Sequence, residues 1–269
     1  MKSRKAVCAS TLALVVPFLS AFVACSDDGT LPVNAKNDGS VPTAPTSTEP
    51  LPDGAMPVTP KTIETLSGEI KAALTLSPSK EYLLRGLVTV KAGTTLTIEK
   101  GTVIKGESQS KAILLVEPGA KIMAEGTEDE PIVFTSQAAP ADRRPGDWGG
   151  LVILGNAPVN NPGGKGNVEG IVTTAAGTQY GGTDPEDSSG VLRFVRIEYA
   201  GVILSQDNEV NGVTFAGVGR GTKVDHIQVR QALDDCFEFF GGTVDAKYLA
   251  CQGNEDDGFD WDNGYSGRL

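Results

Sequence analysis

The sequence predicts an all-β fold, a parallel β-helix solenoid, set behind an export signal and a polar tether. Three observations carry that expectation. The composition is rich in turn formers and poor in aromatics, with 33 Gly, 16 Pro and 6% Phe, Trp and Tyr in 269 residues. That suits many short strands joined by tight turns better than a helical bundle. The segment Leu87-Val88-Thr89-Val90 with Gly93 and Leu96 is echoed by Ile113-Leu114-Leu115-Val116 with Gly119 and Ile122, an offset of roughly 25 residues, in the range of solenoid repeats. A second echo sets Asp234-Asp235-Cys236-Phe237-Glu238-Phe239 against Asp256-Asp257-Gly258-Phe259-Asp260-Trp261, with Val224-Asp225 set against Val244-Asp245.

The N-terminus reads as an address. Lys2, Arg4 and Lys5 precede an apolar run from about Thr11 to Ala24, shorter than the about 20 apolar residues a membrane span needs. The run ends in Phe22-Val23-Ala24-Cys25 and gives way to Ser26-Asp27-Asp28. This resembles a lipoprotein signal peptide, residues 1–24, with Cys25 the acylated (palmitate-bearing) first residue. Ser26 after it fits outer-membrane sorting. Phe22 departs from the usual Leu, and an ordinary signal peptide containing Cys25 is the alternative. Residues 25–60 carry Pro, Thr, Ser and Asp with few large apolar side chains, too few to offset the entropy of ordering. They read as a flexible tether, with a mean reach of roughly 30–35 Å.

Residues 61–269 read as the β-helix itself. A short helix over residues 62–76 is expected to cap the first coil, and loop insertions are expected at about 138–146 and 156–189. One coil cannot bury its apolar face alone, so coils stack about 4.8 Å apart around a shared core. Phe237 over Phe259 and Phe239 over Trp261 would form an aromatic ladder. The chain reaches Leu269 in what reads as mid-coil, and a longer native protein is expected.

The run Val90-x-x-Gly93-x-x-Leu96-x-Ile98-x-x-Gly101-Thr102, followed by Gly126-Thr127 and Pro131-Ile132-Val133-Phe134-Thr135-Ser136, resembles the opening coils of right-handed parallel β-helix surface lipoproteins. The similarity extends from about Leu76 to the end. It implies a pectin-lyase-like fold and is nearly silent on activity.

Charge narrows the functional classes. A formal net charge of −11 with one His, His226, argues against nucleic acid, which needs clustered Lys and Arg, and excludes a metal site of several imidazoles. The same balance suits divalent cations. Asp234, Asp235, Glu238, Asp256, Asp257, Asp260 and Asp262 form a candidate Ca²⁺ site. Stacked carboxylates about 4.8 Å apart repel by roughly 3–4 kcal/mol at an effective dielectric near 20. A cation with six to eight oxygen ligands would relieve that; a solvated acidic face is the alternative.

Of four cysteines, Cys8 leaves with the signal and Cys25 is acylated, so Cys236 and Cys251 are a candidate disulfide, with two free buried thiols as the alternative. No residue is assigned a catalytic role. His226 sits in a strand as an outward or turn-facing side chain. Arg193, Arg196 and Arg230 precede the acidic cluster and are expected to pair with neighbouring acids. The expectation is an outer-membrane-anchored lipoprotein, at the cell surface or on the periplasmic side, partnered by the membrane through its lipid. Its role is adhesive, structural or in contact with polysaccharide. The alternative is a Ca²⁺-dependent polysaccharide lyase or related carbohydrate-active enzyme, which an arginine within reach of the acidic cluster would favour.

Overall fold

Short apolar runs cut by glycine leave the chain little choice but to turn every few residues. The computed structural model describes residues 61–168, 171, 177–205 and 208–269; Cys25 lies outside them. The chain passes through β1 (Ile63–Ile70), β2 (Leu74–Leu76), β3 (Glu81–Val90), β4 (Thr95–Ile98), β5 (Val103–Gly106), β6 (Ile113–Val116), β7 (Lys121–Glu125) and β8 (Ile132–Ser136). It continues through β9 (Gly150–Leu154), β10 (Gly166–Asn167), β11 (Gln179–Tyr180), β12 (Gly190–Glu198), β13 (Val202–Ser205) and β14 (Asn208–Val210). The last coils hold β15 (Val213–Ala216), β16 (Lys223–Arg230), β17 (Phe237–Phe240), β18 (Ala246–Gln252) and β19 (Phe259–Asp262).

These strands stack in parallel on three faces of a right-handed β-helix. The first face runs through the ends of β1 and β3, then β6, β9, β15, β17 and β19. The second runs through β2, β4, β7 and the starts of β12, β16 and β18. The third runs through the starts of β1 and β3, then β5, β8 and the ends of β12, β16 and β18.

The first repeat lies as the sequence predicts: Val88 pairs with Leu114, Val90 with Val116 and Leu96 with Ile122, and the Gly93 N–H donates to the Gly119 carbonyl at 2.9 Å. Three expectations need correction. Residues 63–70 and 74–76 are strands rather than a capping helix, because their backbones pair in parallel register with β3 and β4 and so satisfy the open edge of the first coil. Val224 pairs with Ala246 and Asp225 with Lys247, not with Val244 and Asp245; the turn before β18 takes up the two-residue difference. Finally, Phe239 faces Trp261 in register, but Tyr265 supplies the ring against it, at 4.8 Å, while Trp261 is exposed.

Strand alternation splits the apolar residues into two clusters. Inward residues fill the solenoid: Val88, Leu114, Leu151, Val213 and Phe237 descend one ladder. Phe215 stacks on Phe239 at 5.2 Å and Phe237 on Phe259 at 5.1 Å. The Trp148 indole lies against Gly106, where any Cβ would sit 2.4 Å from its ring, and its Nε1–H donates to the Glu198 carbonyl at 2.8 Å.

The second cluster lies on the outer side of the first face. There Ile113, Leu115, Val152, Leu154, Ala216 and Phe240 point away from the solenoid and are covered by Val168, Ile171 and Tyr180 of one insertion and by Val202 and Val210 of the β13–β14 hairpin. The expected insertions fall at the loops after β8 and β9; the β13–β14 hairpin is an additional one, whose short apolar run Val202-Ile203-Leu204 resembles a coil strand in sequence. This outer packing makes the first face a walled surface. No helix among the described residues is long and apolar enough to cross a membrane.

Candidate functional site

Where the outer apolar patch ends, the same face turns acidic. Position by position down the stack, Thr214 pairs with Glu238 and Glu238 with Asp260. One turn earlier in each coil the chain carries Asn211, Asp235 and Asp257, tied by bonds from the Gly212 N–H to the Asp235 carbonyl and from the Cys236 N–H to the Asp257 carbonyl. Between this ladder and the β13–β14 hairpin lies a recess of about 360 Å³, lined by Ile203, Glu209, Asn211, Asp234, Asp235, Glu238, Asp256 and Asp260.

Two triads of carboxylates meet there: Asp234, Asp235 and Asp256, and Asp235, Glu238 and Asp260, each with oxygens within 4.8 Å of one another. Asp235 belongs to both. It is 8% exposed, and its Oδ1 accepts the Asp257 N–H at 2.8 Å. Burial pushes its carboxyl up to about 7; the Asp257 N–H holds the rise back, and the charges of Asp234, Asp256 and Asp260 add to it. Asp262 is also raised, through burial and then the charge of Asp260.

Of the seven acids singled out in the sequence, five converge on the recess. Asp257 contributes its backbone rather than its carboxylate, and Asp262 stands two residues beyond Asp260 on the same strand, paired in register with Phe240. Sequence reasoning missed Asn211, Glu209 and Ile203. The signal was present in the alignment of Asn211-Gly212-Val213-Thr214-Phe215 with Asp235-Cys236-Phe237-Glu238-Phe239.

Asn211 is 2% exposed. Its Nδ2 donates to the Glu238 carboxylate and, at 3.5 Å, to Thr214 Oγ1. Its Oδ1 is buried without a hydrogen-bond partner. A buried acceptor with no donor is costly and invites a ligand. The set therefore fits a hard cation: carboxylate and amide oxygens on three successive turns, and no nitrogen or sulfur.

The other sequence candidates lie elsewhere. Arg193 pairs with Asp225 at 3.0 Å, while Arg196 and Arg230 approach Glu198, all on the second and third faces. His226 is sandwiched between Phe194 and Tyr248 at 4.4 and 4.5 Å, its Nδ1 2.7 Å from Asp225. These three rings sit at the bends of β12, β16 and β18, each at positive φ. Cys236 and Cys251 form a disulfide across 5.8 Å of Cα separation.

No match was found among curated proteins or among solved structures. A family model described as a pectate-lyase-like beta helix domain matches residues 68–269, the three-faced solenoid from the end of β1 to the last described coil. The parallel register, the inward ladders and this match agree, and the chain belongs to the family of pectate-lyase-like β-helix domains.

Proposed function

We propose that the protein is an exported, lipid-anchored outer-membrane protein whose β-helix holds a divalent cation in the acidic recess and uses it to contact glycan without cleaving it. The observation that carries this reading is the pairing of two carboxylate triads with the partnerless Oδ1 of Asn211. Calcium suits the layout, because it accepts many oxygens in flexible geometry and shares its shell with ligand hydroxyls or carboxylates. The pectate-lyase-like β-helix domain supports a carbohydrate-related role. Contact is favoured over cleavage by the lining itself. Abstraction of a proton beside a uronate carboxylate calls for a base and a basic stabiliser, and among the described residues no Lys, Arg or His lines the recess.

The anchor rests on the N-terminal pattern ending at Cys25. The test is the melting temperature of the mature protein in calcium, in magnesium and in chelator, followed by a panel of acidic polysaccharides. A calcium-specific rise of several degrees, with calcium-dependent retention of a glycan and no unsaturated product, is the expected result. Identical melting in all three buffers would remove the cation, and unsaturated product would make the protein a lyase.

A further inference from the structure

The third face carries the opposite charge pattern. Glu198, at the end of β12, is buried, with its side chain 10% exposed. Its Oε2 accepts the Thr135 hydroxyl at 3.0 Å, and its backbone carbonyl is held by Trp148. Three guanidinium groups surround this one carboxylate: Arg143 Nη1 at 3.9 Å, Arg196 Nε at 4.0 Å and Arg230 Nη1 at 3.6 Å. Each distance lies beyond hydrogen-bond reach, and Glu198 is the only carboxylate within ion-pair distance of any of the three among the described residues. The cluster thus holds three positive charges against one negative.

The arginines come from different elements and are individually braced. Arg143, in the loop after β8, donates its Nε–H to the Ala138 carbonyl at 3.1 Å and lies over the Tyr199 ring at 5.9 Å. Arg196 donates its Nε–H to Gln228 at 2.8 Å. Arg230 stands one coil below Glu198 in register, and its Nε is buried with no hydrogen-bond partner. A buried guanidinium donor without an acceptor, in a cluster with excess positive charge, is a socket for an anion. Arginine is the side chain suited to it, since its planar fork matches the oxygens of carboxylate, sulfate and phosphate.

We propose that Arg143, Arg196 and Arg230 form a binding site for an oxyanion group of an acidic ligand, with Glu198 as the fixed counter-charge that keeps the arginines together when the site is empty. This site lies on a different face from the acidic recess and does not depend on the reading given to it.

The test is calorimetric titration of the mature protein, stripped of divalent cations on a chelating resin, with sodium sulfate, phosphate and acetate. Sodium chloride at equal ionic strength is the reference. Saturable binding of at least one oxyanion is expected, weakened at least tenfold by Arg143→Gln and by Arg230→Gln. Preference for sulfate or phosphate would assign a tetrahedral group, and preference for acetate a carboxylate. Should an arginine variant fail to fold, Glu198→Gln serves instead: it keeps the side-chain shape, removes the competing charge and is expected to tighten binding. The absence of saturable binding beyond chloride would overturn the proposal, as would unchanged affinity in folded arginine variants or weaker binding in Glu198→Gln.

Discussion

Asn211 gives its amide hydrogen to the Glu238 carboxylate and keeps its own Oδ1 buried without a partner. An amide so placed orients a carboxylate and offers a second oxygen to the same recess. Asn211→Leu is expected to lower calcium affinity, while Asn211→Asp adds a charge and is expected to tighten calcium by about tenfold, or roughly 1.4 kcal/mol. In chelator Asn211→Asp should melt lower than the parent, from added repulsion. Calcium titration of the two variants checks both signs.

Asp235 gives the protein a distinct pH dependence. Its carboxyl is raised to about 7, chiefly by burial. A raised folded-state value means the neutral form stabilises the fold. That contribution is complete below the ordinary carboxylate range and is lost as pH rises through about 7. Without cations the protein is therefore expected to melt higher at pH 5 than at pH 8. Glu69, Glu107 and Asp245 are held low, by Lys71, Ser110 and Arg268 first, and titrate beneath that window. Asp235→Asn should flatten the slope between pH 5 and 8 and abolish the calcium response, read from melting curves across that range.

Coil stacking sets sharp limits on two glycines. Gly190 has φ +115°, and a Cβ there would lie 2.0 Å from the Ile122 carbonyl oxygen. Both the backbone angle and a rigid neighbour oppose any side chain, so Gly190→Ala is expected to cost more than about 3 kcal/mol. Gly93 has φ +79° with open space around it, so Gly93→Ala carries only the angular strain, about 1–2 kcal/mol. Urea denaturation of the two variants distinguishes crowding from backbone strain.

The Cys236–Cys251 bridge closes 15 residues of chain across neighbouring coils. Opening a loop of that size is expected to cost about 3 kcal/mol. The double variant Cys236→Ala, Cys251→Ala should show that loss with or without reductant, whereas the parent should show it only when reduced.

Cys25 is expected to take a fatty acyl chain. Labelled palmitate should enter the parent protein and not Cys25→Ser, and the variant should leave the membrane fraction. Label retained in Cys25→Ser would remove the anchor from the proposed function.

The solenoid was legible in the sequence because its physics is periodic. Val88 and Leu114, or Phe237 and Phe259, repeat in the chain because each must fill the same slot one coil on. The acidic ladder could be read for the same reason, and Glu238 does stand above Asp260. Register is harder to read where a turn changes length: the echo aligns Val224 with Val244, and two residues in the intervening turn move its partner to Ala246. The β13–β14 hairpin is hard to read because Val202-Ile203-Leu204 is a short apolar run like Ile113–Val116 of a coil strand, whereas Val202 and Val210 pack outside the solenoid.

The fold class, the inward ladders and the neighbourhood of most of the acids are written in the chain, because these follow from local alternation and a repeat. Which carboxylates converge is set by the folding of the coils, since the direction of Asp235 and of Asp257 depends on the turn each occupies. That folding also brings Asn211 and the hairpin to the recess, and it gathers Arg143, Arg196 and Arg230 around Glu198. Those groupings join residues from different coils and insertions. Their proximity is set by how the coils stack, a relation that linear spacing does not encode.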